Sequence, residues 1–196
     1  ATLPSHLRLV IDELRLRPYG KPMKVRRDRD LFAYDRRARV IHHELEVEVA
    51  EALAARARAE KTTVHGALSA ALILGVLSDA AVPRGRIWFG SPVNVRRRLV
   101  PSVGAEVGFF VSMLGFQGVV EAGVPFWELA RRVRRSLEAH LSSGTDLATL
   151  QLLPLMFRLL GGERATPRGL VERWERTLVT TTGLTNLGRL AIEIER

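Results

Sequence analysis

Apolar residues recur along this chain with two different periods, and the changes of period mark out its elements. From Glu48 to Glu60 an Ala-rich stretch with apolar positions three and four apart predicts an amphipathic helix. Val64 to Leu77 is apolar nearly all round, the pattern of a buried helix, and Thr62 and Thr63 stand before it as N-cap candidates. A third helix is predicted from Pro125 to about Ser142, with proline suited to its first turn and Gly144 as its stop. A fourth runs from Asp146 to Leu160, kinked or broken near Pro154.

The strand signals are shorter. Val40 to Val47 alternates, with Ile41, His43, Leu45 and Val47 on one face and His42, Glu44 and Glu46 on the other. Arg86 to Val95 and Val107 to Phe116 are continuous apolar runs of buried-strand type. The first carries Gly90 as a bulge candidate and Pro92, which limits ladder pairing. Thr177 to Thr182 and Leu190 to Glu195 read as two further strands, joined by a turn from Gly183 to Gly188. A Gly- and Pro-bearing loop occupies 161–169. Residues 1–39, punctuated by Pro4, Pro18, Gly20 and Pro22, read as an irregular arm. Its one apolar cluster (Leu7, Leu9, Val10, Ile11, Leu14) has room for a helical turn or two. The sum is an α/β chain, a mixed sheet covered by helices, with no internal repeat.

Composition narrows the function classes. The 196 residues are 46% apolar and 26% charged, which is globular, and Cys is absent, so disulfides, thiolate metal sites and a Cys nucleophile drop out. No apolar run nears the roughly 20 residues that cross a bilayer, and no signal peptide opens the chain, so a cytoplasmic protein is expected. The balance of 30 basic to 21 acidic residues gives a formal +9. Of this, +6 falls within the first 40 residues. Only 6% of residues are aromatic, which leaves little for base stacking, and a nucleic-acid partner is not expected. The Arg-rich, Ala- and Val-rich usage suggests a GC-rich bacterial gene.

Several constellations hold candidate chemistry. His42 and His43 are adjacent, so on a strand they point to opposite faces and cannot jointly grip a metal ion. A His-His-x-x-x-Asp-Gly signature would need Asp and Gly where Val47 and Glu48 stand. His65, one turn into the buried helix, reads as a hydrogen-bonded core histidine. No metalloprotease, Walker or dinucleotide motif occurs.

Arg131, Arg132, Arg134 and Arg135 lie opposite the apolar stripe of Phe126, Ala130, Val133, Leu137 and Leu141. They form either a solvated face or a docking face for a phosphate-bearing or acidic partner. Arg96 follows an apolar strand without a nearby acid. It therefore reaches solvent, or takes a partner from elsewhere in the fold or from another chain. Thr180, Thr181, Thr182, Thr185 and Asn186 cap a turn or line a polar cavity.

These segments carry a resemblance. Thr62-Thr-Val-His-Gly-Ala-Leu-Ser-Ala-Ala71, Ser91-Pro-Val-Asn-Val-Arg96, Val107-Gly-Phe-Phe-Val-Ser-Met-Leu114, Phe126-Trp-Glu-Leu-Ala-Arg-Arg-Val133 and Thr185-Asn-Leu-Gly-Arg189 follow one another in order. Together they resemble the C-terminal lobe of condensation-type acyltransferases of the chloramphenicol acetyltransferase-like superfamily. The dimycocerosyl transferase type is nearest, with nonribosomal-peptide condensation domains further off.

The resemblance implies two lobes around a tunnel and transfer of an acyl group from a CoA or carrier-protein thioester to a hydroxyl or amine. The context would be polyketide, lipid or nonribosomal-peptide biosynthesis. Its general base is the second His of His-His-x-x-x-Asp-Gly in an N-terminal lobe, a partner in the same gene or a separate chain. The chain alone is then expected to be inactive, with no bound cofactor and the acyl-CoA or phosphopantetheinyl thioester as co-substrate.

Residues 1–39 would be the inter-lobe connection, and 40–196 a C-terminal lobe cut short at its end. Asn94, Arg96, Ser112, Thr185 and Asn186 would serve the substrate. Arg96 would have an electrostatic or structural role, and Arg131, Arg132, Arg134 and Arg135 would dock a carrier protein. The alternative is a non-catalytic carrier-binding module.

Overall fold

The computed structural model describes residues 5–25, 40–101, 103–104, 106–159, 166, 168–169, 172–173 and 180–188. In chain order their elements are α1 (Ser5–Leu16), α2 (Val47–Ala59), α3 (Val64–Asp79), β1 (Arg84–Asn94), β2 (Val111–Glu121), α4 (Phe126–Ser142), α5 (Thr145–Leu159) and β3 (Thr182–Gly183). Short 3-10 turns follow α1 at Arg17–Tyr19 and β1 at Arg96–Arg98.

The sheet is mixed, in the order β2-β1-β3: β1 runs antiparallel to β2 and parallel to β3. The long β1–β2 ladder pairs Arg84 with Glu121 at one end and Asn94 with Val111 at the other. Residues directly opposite each other share a face. Ile87, Phe89, Ser91 and Val93 therefore lie with Gly118, Phe116, Leu114 and Ser112. Arg86, Trp88, Gly90 and Pro92 lie on the reverse face with Val119, Gln117, Gly115 and Met113.

The first face carries the core. Ile87, Phe89, Phe116 and Val120 pack with Ala70, Ile73 and Leu77 of α3 and Leu129, Ala130 and Val133 of α4. Thr63 caps α3 by accepting a bond from the Gly66 amide at 3.0 Å. Gly66 is required at the crossing of α3 and α4, because a Cβ there would meet Thr62 Oγ1 at 2.6 Å and the Ala130 carbonyl at 2.9 Å. The same contact is tied by Thr62 Oγ1, which donates to Ala130 O at 3.0 Å. Gly144, at φ +72, turns the chain between α4 and α5 in the left-handed region that favours glycine.

Helices α2 to α5 fall close to their expected bounds, and α5 continues through Pro154. Four expectations are corrected. Residues 40–46 form no strand; a lone alternating run has no partner among the described residues, and the chain stays irregular until α2 begins. The second strand begins at Val111 rather than Val107 and extends to Glu121. The ladder passes through Gly90 without an extra residue on either strand, so there is no bulge. Within the arm, the helical turn or two becomes the twelve-residue α1. The strand expected at 190–195 and most of the 161–169 loop lie outside the described residues.

Candidate active-site edge

The site residues named from sequence gather mainly at one end of the sheet. Asn94 closes β1, and its Oδ1 accepts the Arg96 amide at 3.0 Å, starting the 3-10 turn. Arg96 finds its partners within the chain: Nη1 donates to the carbonyls of Gly104 at 2.9 Å and Glu106 at 2.8 Å. Its guanidinium also lies 4.4 Å from the centre of the Phe110 ring. The Val95 amide donates to Phe110 O at 2.9 Å, closing the loop between the strands around Arg96. Of the options the sequence left open for Arg96, the structure shows a partner from elsewhere in the fold, and that partner is carbonyl rather than carboxylate.

Arg98, two residues on, takes the acid that Arg96 does not. Its Nη1 lies 2.9 Å from Asp146 Oδ2 and donates to Leu141 O at 3.0 Å. Asp146 is fully buried, and among the described residues neither carboxylate oxygen receives a well-directed hydrogen bond. The Arg98 charge is thus its compensation. Ser112 is 1% exposed and donates to the Asp146 carbonyl at 2.7 Å, joining β2 to the start of α5. Ser112 therefore sits on the helix-facing side of the sheet, opposite the face of Asn94. The Arg98–Asp146 pair was not singled out from sequence; a lone acid inside the mostly apolar α5 stretch was the available signal.

On the other side of β1, the Thr181 amide donates to Trp88 O at 2.9 Å and its Oγ1 accepts the Trp88 amide at 3.1 Å. Thr185 and Asn186 follow β3, which runs parallel to β1 toward its Asn94 end, and both are exposed. Asn186 Oδ1 accepts the Gly188 amide at 2.9 Å, a turn bond.

His65 makes the hydrogen bond expected of a core histidine, with Nε2 3.0 Å from Ser91 Oγ. Burial lowers its pKa from 6.5 by disfavouring the imidazolium. His42 and His43 are exposed. Among the described residues no three His, Asp or Glu side chains stand where they could hold a metal ion.

The arginine cluster of α4 lies elsewhere. Arg132 donates to Val119 O at 3.1 Å, and Val119 pairs with Arg86, which places it toward the other end of the ladder. Arg131 binds Glu60 Oε2 at 2.9 Å, and Arg134 binds Glu138 at 2.6 Å one helical turn away. Arg135 is exposed.

Residues 35–193 match the family described as the phthiocerol/phthiodiolone dimycocerosyl transferase C-terminus, and the chain belongs to that family. Its fold is chloramphenicol acetyltransferase-like. Among solved structures, polyketide synthase associated protein 5 from Mycobacterium tuberculosis shares this fold, with a TM-score of 0.51 at 18% identity. The similarity covers 74% of this chain and 39% of that one, so the chain spans about two fifths of its solved relative. No curated protein matches it. Among the described residues no single helix is long and apolar enough to cross a membrane.

Proposed function

We propose that this domain works as the C-terminal lobe of an acyltransferase, moving an acyl group from a CoA or carrier-protein thioester to a hydroxyl or amine. In this reading the acceptor loses its proton to a histidine of His-His-x-x-x-Asp-Gly on a separate N-terminal lobe. The acceptor attacks the thioester carbonyl, the C–S bond breaks, and the departing sulfur takes up the proton. The lobe described above contributes the wall carrying Asn94 and Arg96.

The supporting observation is the apolar surface beside those two residues. Val107 and Phe109 are 103% and 77% exposed, and Val111 and Met113 continue the strip along β2. Val111 is opposite Asn94, and Arg96 stacks on Phe110, so polar site and apolar strip are one surface. An exposed apolar strip of this kind is what a second lobe would cover.

The test is to combine the chain with a polypeptide carrying the motif and to follow thiol release from an acyl-CoA in the presence of an alcohol. Acceptor-dependent release that falls on Arg96→Ala supports the reading. Release absent from the combined lobes, with both folded, overturns it. If a carrier protein then binds the chain without transfer, in a salt-sensitive way that Arg135→Glu weakens, the domain is a carrier-binding module instead.

A further inference from the structure

A cavity of about 250 Å³ lies at the opposite end of the sheet, lined by Pro18, Tyr19, Arg84, Gly85, Arg86 and Val119. The eleven residues of β1 put roughly 30 Å between this end and Asn94. The cavity forms where the arm folds back over β1. The Met23 amide donates to Arg86 O at 2.7 Å, and Arg86 Nη1 donates to Gly20 O at 2.6 Å.

Among the described residues its lining carries two guanidinium groups and no carboxylate. Arg86 is balanced by Glu13, 2.5 Å from its Nη2. Arg84 is exposed and pairs with no acid among the described residues, although Glu121 is its ladder neighbour. Instead the Arg84 guanidinium stands 5.9 Å from the centre of the Tyr19 ring, which orients it without neutralising it.

We infer that this seam between arm and sheet is a binding site for a small oxyanion, a phosphate ester or a carboxylate, gripped by Arg84 against Tyr19. A forked guanidinium with an uncompensated charge suits those two groups. The volume falls just below the roughly 300–1,000 Å³ of organic-ligand pockets, which favours a small anion over a nucleotide. The inference is independent of acyl transfer.

The test is a protein-observed NMR titration with inorganic phosphate, with acetate, and with sodium chloride at matched ionic strength. Saturable shifts at the Tyr19, Gly85 and Val119 amides with phosphate or acetate are expected, and comparison of the two arms identifies the preferred oxyanion. Arg84→Gln should weaken binding about tenfold or more. Tyr19→Leu should weaken it less, and Arg58→Gln, on the exposed face of α2, should leave it unchanged. Arg84 is exposed at a strand end, so its replacement leaves the core intact. Shifts that chloride reproduces, that never saturate, or that survive Arg84→Gln overturn the proposal.

Discussion

Arg86, near the start of β1, and Arg98, in the 3-10 turn beyond its far end, each pair with one carboxylate, but the burial is reversed. At the first end the arginine is the buried partner, 4% exposed against 58% for Glu13. At the second the acid is buried, 0% against 34% for Arg98. Arg96, between them in kind, is bound among the described residues by carbonyls and a ring. The harm done by losing an arginine depends on what is left behind. A stranded Glu13 returns to water, whereas a stranded Asp146 cannot.

Arg98→Ala has the largest expected effect, a loss of about 3 kcal/mol or more, because it leaves a buried charge alone. Adding Asp146→Asn should recover much of it in chemical denaturation. No recovery would mean that the carboxylate is not the stranded group.

Arg86→Ala should lose about 2 kcal/mol, chiefly from the lost packing of the buried arginine stem. A loss exceeding that of Arg98→Ala would invert the comparison.

Midway along the strand, His65 and Ser91 give a smaller, pH-dependent effect. The folded pKa of His65 is lowered, so below 6.5 the unfolded chain binds a proton that the folded chain resists. This contribution is complete above 6.5 and is lost as pH falls from there toward the lowered folded value. Denaturation midpoints between about pH 5 and 8 should slope less in His65→Gln than in the natural sequence. Equal slopes would remove His65 from the account. Smallest of all, Arg96→Ala should cost about 1 kcal/mol, from the lost bonds to the Gly104 and Glu106 carbonyls. Its main expected effect is on transfer by the combined lobes.

The helices were legible because their signals are local. Thr63, Gly144 and the three-and-four spacing of α4 mark caps, a turn and a buried stripe within a few residues of one another. The strands were less so, because an apolar run does not say where its partner begins. Val107 and Phe109 look like strand interior, yet that segment wraps Arg96 and leaves both side chains in solvent. The alternation at 40–47 was equally good as pattern and had no ladder to join among the described residues.

At the site, Asn94 and Arg96 were visible as polar residues ending an apolar strand. Arg98 with Asp146, and Arg86 with Glu13, were not visible. Each pair joins distant parts of the chain, and nothing in either neighbourhood announces the other.

The two-residue β3 has a consequence for the order in which the molecule opens and closes. It joins β1 through Thr181 and Trp88, 93 positions apart, after the whole ladder to β2 and the helices between have intervened in sequence. So few pairs across so long a loop form late and release early. In hydrogen exchange the Thr181 and Leu184 amides should be freed by local opening, ahead of the β1–β2 ladder. Each such opening bares one edge of β1, a row of unpaired backbone groups ready to accept another strand.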